Sequence, residues 1–161
     1  MAEQAARDYL AQYGLSENIR IMDASTATVD LAAAALGVEG ARIAKTLSFS
    51  INDSCILIVA AGDARIDNRN FKKAFGSKAR MLSPDDVKTW TGHEIGGVCP
   101  FGLLHTDIPV YLDESLKRFP TVFPACGSSH SAIELTCDEL YRISRARAWV
   151  SVCSGWQNGE E

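Results

Sequence analysis

Residues 43–61 decide the fold, and they read IAKTLSFSINDSCILIVAA. From Ile43 to Ile51, apolar residues alternate with small or polar ones, which predicts a strand with one apolar face. Asn52-Asp53 predicts a turn, and residues 55–61 form a continuous apolar run that is typical of a strand buried on both faces. Since a connection this short cannot hold a parallel crossover, the stretch predicts an antiparallel hairpin.

Lys45 is the exception within the first strand, because it falls on the apolar face. An ammonium group directed into a core costs several kcal/mol unless it is paired or reaches a wet cavity. Two interpretations are open. The side chain reaches water along its own stem near the start of the strand, or this end of the strand opens into a pocket that needs a cation.

Outward from the hairpin, helices and short strands alternate irregularly. Capping residues, stop glycines and periodicity predict helices at 3–13, 31–36, from Asp67 or Asn68 through Phe75, 84–90 and 137–143. Short strands are predicted at 19–22, 78–82, 108–112, 121–125 and 148–152. We therefore expect one mixed α/β (α+β) domain over residues 1–161, with a bent, largely antiparallel mixed sheet, helices on the outside and a flexible tail at 154–161.

Composition restricts the class of protein. The 161 residues carry a net charge of −4 and five cysteines, an odd number without a CxxC spacing, which favours reduced thiols and a cytoplasmic location. No apolar run is long enough to cross a bilayer, and the first residues lack the apolar segment of a signal peptide. We expect no membrane association, and the acidic balance argues against indiscriminate binding of nucleic acid, DNA included.

Positive charge is concentrated between residues 65 and 80, which hold six cations and one acid. The segment is either the solvated face of a helix or a phosphate-binding patch on an otherwise acidic protein. We call these cations the basic surface and treat them as candidate phosphate contacts. They are Arg65, Arg69, Lys72, Lys73, Lys78 and Arg80.

A second unusual stretch is the glycine loop, residues 96–102, which reads GGVCPFG. Three glycines and a proline exclude a helix interior or a central strand. Alone, such a stretch is compatible with a plain surface turn. Together with Lys45, it predicts a shaped loop whose free backbone N–H groups polarise the carbonyl of an anionic substrate.

A third stretch is the serine loop, residues 126–130, but it offers little support for nucleophilic catalysis. Ser128 or Ser129 beside His130 would need adjacent residues to align as nucleophile and base, and no Gly-x-Ser-x-Gly elbow surrounds them. Cys99 and His130 form a thiol–imidazole pair only if the two loops meet, and a packed Cys99 is the simpler interpretation.

Metal binding has little support either, since the residues of ligand type match no zinc spacing. We expect no metal and no cofactor, and we expect His93 and His105 to lie at the surface. The residues of ligand type are Cys99, His105, Cys126 and His130.

Four separated motifs resemble the YbaK-type aminoacyl-tRNA deacylases, relatives of the editing insertion domain of bacterial prolyl-tRNA synthetase. They are IAKTL at 43–47, the Gly62-Asp63 turn, the glycine loop and ACGSSH at 125–130, in the expected order within a core of residues 22–152. The resemblance implies hydrolysis of the ester between a wrong amino acid and the terminal adenosine of a tRNA. It also implies that backbone amides, bound water and the vicinal ribose hydroxyl replace an enzyme nucleophile.

The resemblance further implies roles for residues. Lys45 matches a lysine placed to meet the tRNA end, and Gly96 and Pro100 match a Gly-x-x-x-Pro loop that holds the carbonyl or the water. Thr46 departs from the asparagine of some subfamilies, which leaves alanyl-, cysteinyl-, seryl- and threonyl-tRNA open. The predicted catalytic residues are Lys45, Gly96, Gly97, Val98, Cys99 and Pro100, and the predicted substrate contacts are Thr46, Phe101, Gly102, Gly127, Ser128, Ser129 and His130.

The leading hypothesis is a freestanding trans-editing hydrolase acting on a proline tRNA that carries alanine, cysteine or another small amino acid. Its partners would be the tRNA acceptor end and prolyl-tRNA synthetase, with the basic surface contacting the acceptor stem. One alternative is a non-catalytic module that binds tRNA or a synthetase. Another is a thiol enzyme that depends on Cys99.

Overall fold

The computed structural model describes residues 2–156 and contains five α-helices within them. Side-chain caps begin most of the helices. Thr28, Asp67 and Ser83 each accept a hydrogen bond from a first-turn N–H, and Thr136 forms a reciprocal capping box with Glu139. The helices are α1 Ala2–Ala11, α2 Val29–Leu36, α3 Asn68–Phe75, α4 Pro84–Thr91 and α5 Cys137–Ile143, which confirms the five predicted helices.

The strands form one six-stranded sheet and two short two-stranded ladders within the described residues. The strands are β1 Arg20–Ile21, β2 Ile43–Ile51, β3 Ser54–Ala61, β4 Arg65–Ile66, β5 Val110–Asp113, β6 Thr121–Pro124, β7 Ser131–Ala132, β8 Leu135–Thr136, β9 Ala148–Val150 and β10 Cys153–Ser154. The sheet order is β8-β6-β2-β3-β5-β9, and the ladders pair β1 with β7 and β4 with β10.

The predicted mixed sheet is confirmed, and its centre is the predicted hairpin. β2 and β3 pair antiparallel from Ala44–Ala61 to Ile51–Ser54, across a turn in which Asn52 and Asp53 both have positive φ. Three shorter pairings are parallel, namely β2 with β6, β3 with β5 and β5 with β9. These pairings follow long crossovers, such as the one through α3 and α4, which local turn signals do not reveal.

The core lies on the two faces of the hairpin. Residues 55–61 are all buried, as the apolar run predicted. α3 covers one face through Phe71, whose ring packs 4.9 Å from that of Phe49. A smaller cluster of Ala32, Ile43 and Phe123 fixes α2 against β2 and β6.

Two local predictions need correction. Residues 78–82 do not form a strand, because only Met81 bridges to Phe49 at the sheet edge. The predicted flexible tail begins too early, since Ser154 pairs with Arg65 and Trp156 packs against the core beneath the Arg118 guanidinium. Residues 157–161 lie outside the described residues. Within residues 2–156, no helix is long and apolar enough to cross a membrane.

Candidate functional site

A cavity of about 320 Å³ lies along β2, and we call it the β2 cavity. Its walls come from the loop before α2, from β2, from residues 81–82 and from the glycine loop. Several apolar side chains line it, among them Val29, Leu47, Leu82, Val87, Val98 and Phe123.

The cavity lies where β2 has lost its neighbour on one edge. On that edge, β6 pairs with Ile43 and Ala44, and the 80–82 segment bonds to Ser48 and Ser50. The backbone N–H and C=O groups of successive residues point alternately to the two edges of a strand. Those of Thr46 therefore point to the same edge as those of Ser48 and Ser50. No described strand pairs with Thr46 there. The cavity wall therefore includes an open piece of strand edge.

Lys45 lies at this wall with its side chain half-buried. Its Nζ donates to the carbonyl of Ala64 and, at 3.3 Å, to that of Gly62. An ammonium group has three donors, so one N–H is left for a ligand. Burial lowers the pKa of Lys45. Of the two interpretations of Lys45, the geometry matches the second, in which this end of the strand opens into a pocket that contains a cation.

The turn that binds Lys45 is itself held rigidly. Arg118 donates two hydrogen bonds to the Asp63 carboxylate, at 2.6 and 3.0 Å, which hold the pKa of Asp63 below its usual range. Gly62 packs so closely that a Cβ would lie 2.1 Å from the carbonyl oxygen of Gly40. The two carbonyls that accept from Lys45 are therefore fixed before any ligand binds.

The glycine loop contributes two free amides to the β2 cavity, fewer than its composition suggested. The N–H of Gly97 donates to the Glu94 carbonyl at 3.0 Å, and the N–H of Cys99 donates to His93 Nδ1 at 3.2 Å. The amides of Gly96 and Val98 have no acceptor among residues 2–156, and both residues line the β2 cavity. Gly96 and Val98 are therefore the donors that can meet a ligand.

Cys99 is a packed residue. Its thiol donates to the Phe101 carbonyl at 3.5 Å, and complete burial raises the pKa of the thiol to about 12. Its imidazole neighbour is His93, with Sγ 3.9 Å from Nδ1, and His130 is not in contact with it. The expectation that His93 lies at the surface is wrong, because its ring is fully buried under the glycine loop. His105 is exposed, as expected.

The glycine loop and the serine loop meet directly. A Cβ on Gly97 would lie 2.7 Å from the Cα of Ser128. The Ser128 hydroxyl in turn donates to the Glu3 carboxylate of α1 at 2.6 Å, and its oxygen can accept from the Ser131 hydroxyl, whose Oγ lies 2.9 Å away. Ser131 lines the β2 cavity, so the serine loop contacts a residue of the cavity wall through Ser128.

Several predicted site residues do not line the β2 cavity. The Phe101 ring is fully buried and packs 6.1 Å from that of Tyr9, so its prediction as a substrate contact is not supported. Pro100 and Gly102 border a separate groove beside α1. Gly127 packs on the start of α1. Ser129 and His130 contact each other at 3.1 Å at the surface, outside the cavity, and their roles remain predictions.

Sequence reasoning missed a second group of lining residues. Thr26 lies in the segment before α2 and lines the cavity, and no local pattern distinguishes it there from a helix-capping residue. Met81 and Ile95 lie at the cavity with most of their side chains exposed, and single apolar residues in loops give no sequence signal.

The basic surface is present as a group of exposed cations. All six side chains are exposed, and none of the six forms an ion pair with another described residue. Arg80 directly precedes Met81, which lines the cavity. Positive charge therefore extends along the chain to the edge of the β2 cavity.

Comparisons with known proteins agree with this geometry. The family model described as the aminoacyl-tRNA editing domain matches residues 23–143. The uncharacterized protein YwhH of Bacillus subtilis (strain 168) is 54% identical over 158 residues, covering 98% of this chain and 100% of that protein. A proline--tRNA ligase of Shouchella clausii (strain KSM-K16) is 29% identical over 120 residues, which are 74% of this chain but 20% of the ligase.

A solved structure described as a candidate trans-editing enzyme for prolyl tRNA synthetase has the same fold. It superposes with a TM-score of 0.85 at 30% identity, covering 96% of this chain and 98% of that one. These matches confirm the resemblance that the four motifs predicted. The chain belongs to the aminoacyl-tRNA editing domain family.

Proposed function

We propose that this protein is a freestanding deacylase that hydrolyses mischarged aminoacyl-tRNA in trans. The observation that carries the proposal is the wall of the β2 cavity, where Lys45 and the free amides of Gly96 and Val98 line one small space. Family membership and the likeness to the candidate trans-editing enzyme support the reaction class.

The cavity suits the aminoacyl end of a tRNA. Its volume of about 320 Å³ is that of a pocket for a small ligand. The open C=O of Thr46 can accept a hydrogen bond from the ammonium group of the amino acid. The amides of Gly96 and Val98 can donate to the ester carbonyl, where negative charge develops during hydrolysis. The third N–H of Lys45 can donate to the oxygen atoms of the terminal ribose.

Hydrolysis in this site uses water as the nucleophile. The water oxygen adds to the ester carbonyl carbon, and the bond from that carbon to the ribose oxygen breaks. The ribose oxygen takes a proton, and free amino acid and intact tRNA leave. The full burial of the Cys99 thiol, which raises its pKa, argues against this thiol as the nucleophile. Positioning and charge stabilisation are sufficient because the ester is activated by its neighbouring hydroxyl.

The basic surface and the family membership both favour a tRNA as the partner. Six exposed cations, of which Arg80 directly precedes the cavity-lining Met81, suit the phosphates of an acceptor stem. The similarity to proline--tRNA ligase favours a proline tRNA carrying a small wrong amino acid, supplied with or without the synthetase. Such a protein acts in the cytoplasm, where tRNA is charged.

The testing experiment is deacylation of proline tRNA carrying alanine, cysteine, serine or threonine. We expect the protein to hydrolyse at least one of them and the Lys45→Met variant to lose about 10²- to 10³-fold in rate, since methionine keeps the stem but removes the donors. The matched control is Lys117→Ala, an exposed lysine far along the chain, which should keep full activity. Unchanged activity of Lys45→Met, with an unchanged melting temperature, would contradict the role of Lys45.

A non-catalytic tRNA-binding module is the second candidate function, and the unpaired basic surface favours it. Such a module would bind tRNA with strong salt dependence but hydrolyse none of the four substrates. Turnover therefore separates the two candidates.

A further inference from the structure

The first helix, α1, packs behind both loops of the candidate site. A Cβ on Gly102 of the glycine loop would overlap the backbone of Ala5, and a Cβ on Gly127 of the serine loop would overlap that of Ala2. The helix precedes residues 23–143, the part of the chain that matches the family model, so the match assigns it no part in the site. Two such close approaches indicate that α1 and the two loops pack as one unit.

One side chain of α1 reaches the serine loop. The Glu3 carboxylate accepts a hydrogen bond from the Ser128 hydroxyl at 2.6 Å. The oxygen of that hydroxyl accepts from the backbone N–H of His130 at 3.3 Å and can accept from the Ser131 hydroxyl, whose Oγ lies 2.9 Å away. A serine hydroxyl has one proton and two lone pairs. All three are used here, so the Ser128 side chain is held in one orientation, and Glu3 takes its only proton.

Ser128 in turn limits where the glycine loop can lie. The Cα, C and N atoms of Ser128 would all lie within 2.8 Å of a Cβ on Gly97, so the two backbones are in contact. Gly97 lies between Gly96 and Val98, whose free amides line the β2 cavity. A movement of Ser128 therefore changes the position of these two donors. Because such donors act only at hydrogen-bond distance from the developing charge, a small displacement is enough to lower the rate.

We propose that Glu3 is a positioning residue, which holds Ser128 and thereby keeps the amides of Gly96 and Val98 in their catalytic geometry. This inference rests on the proposed deacylase function and adds α1 to the elements that build the site. Glu3 does not line the β2 cavity, so it acts through Ser128 and not on the substrate. Loss of the carboxylate should lower kcat and leave KM close to wild type, because the amides stabilise the transition state more than they bind the tRNA.

The test compares Glu3→Ala with Glu3→Gln, which keeps an oxygen that can accept from Ser128. The substrate is whichever of the four mischarged proline tRNAs the wild-type protein hydrolyses fastest. We expect kcat to fall about 10- to 100-fold in Glu3→Ala at unchanged KM, and Glu3→Gln to keep most of the rate. Ser128→Ala removes the same bond from the loop and leaves α1 intact, so it should lose as much. In the Ser128→Ala background, Glu3→Ala should add no further loss.

The matched control is Asp8→Ala, which removes an exposed carboxylate from the same helix and should leave kcat unchanged. Rates are compared well below the melting temperature of each variant, so that a loss of folded protein is not counted as a loss of rate. A second measurement needs no substrate. In nuclear magnetic resonance spectra, the amide signals of Gly96 and Val98 should shift in Glu3→Ala and Ser128→Ala and stay in place in Asp8→Ala.

The outcomes separate the two claims. Unchanged kcat in Glu3→Ala and Ser128→Ala would overturn the inference, since the bond would then support the fold alone. Additive losses in the double variant would also overturn it, because Glu3 would then act by a route other than Ser128. If the wild-type protein hydrolyses none of the four substrates, the deacylase function fails. The amide signals alone then decide whether Glu3 positions the two donors.

Discussion

His93 links the electrostatics of a single residue to the shape of the site. Its fully buried ring accepts the Cys99 N–H through Nδ1, so the imidazole must be neutral at that atom. Burial lowers the pKa of His93, and protonation would remove the acceptor that holds the glycine loop. His93 thus fixes a loop in which the amides of two preceding residues, Gly96 and Val98, line the cavity.

The lowered pKa predicts a pH-dependent stability. Above the usual histidine pKa of about 6.5, the folded and unfolded chains both carry a neutral ring. As the pH falls below that value, the unfolded chain binds a proton that the folded chain refuses, so the free energy of unfolding decreases down to the folded-state pKa. We expect the melting temperature to fall between about pH 7 and pH 5. His93→Asn should flatten this dependence and the exposed His105→Asn should not, in thermal unfolding followed by circular dichroism.

At the residue scale, sequence could identify Lys45 but not His93. A charged residue on the apolar face of a strand can be recognised from sequence alone, because the two-residue period of a strand assigns each side chain to one face. The burial of His93 depends on where the glycine loop folds back, and no local pattern encodes that contact. The position of Thr26 at the cavity likewise depends on long-range packing.

At the scale of elements, the glycine and serine loops act as one unit because Gly97 has no side chain. The space for a Cβ is occupied by the backbone of Ser128, whose Cα, C and N would all lie within 2.8 Å of it. Backbone atoms cannot move aside as a flexible side chain can. The close approach therefore sets the spacing of the two loops behind the cavity.

Gly97→Ala should force these loops apart. We expect a loss of about 1–3 kcal/mol in stability from overpacking and about a 10- to 100-fold loss in deacylation rate from the misplaced amides of Gly96 and Val98. The control is Gly76→Ala at the end of α3, where φ is +77° and no atom lies within 4 Å of the new Cβ. It should lose about 1 kcal/mol of stability and no activity. If both variants keep full activity, the loop contact does not position the amides.

The elements themselves were largely predictable, since caps, stop glycines and the central hairpin are encoded locally. Thr136 with Glu139, for example, begins α5 through contacts between residues three apart. The parallel pairings of β5 and β6 were not predictable, because their partners are distant in sequence. The cavity itself arises from that long-range pairing, at the point where β6 leaves the edge of β2.

At the scale of the whole molecule, we expect the distribution of charge to affect the binding of tRNA and not the turnover of bound tRNA. The chain is acidic overall with a net charge of −4, yet the basic surface presents six exposed cations between residues 65 and 80. Repulsion by the acidic remainder would orient a tRNA so that its acceptor stem meets the basic surface. Such long-range orientation acts on association and is screened by salt.

Reversing two of these charges tests that role. For the double variant Lys72→Glu/Lys73→Glu we expect a higher KM for mischarged tRNA at unchanged kcat, because both side chains are exposed and neither lines the β2 cavity. The slope of log affinity against log salt should become shallower by roughly one unit per lost phosphate contact. The matched control, Lys117→Glu/Arg147→Glu, reverses two exposed cations outside the basic surface and should leave the KM and the salt slope close to wild type. Equal effects of the two double variants would show that net charge, and not the position of the basic surface, determines tRNA binding.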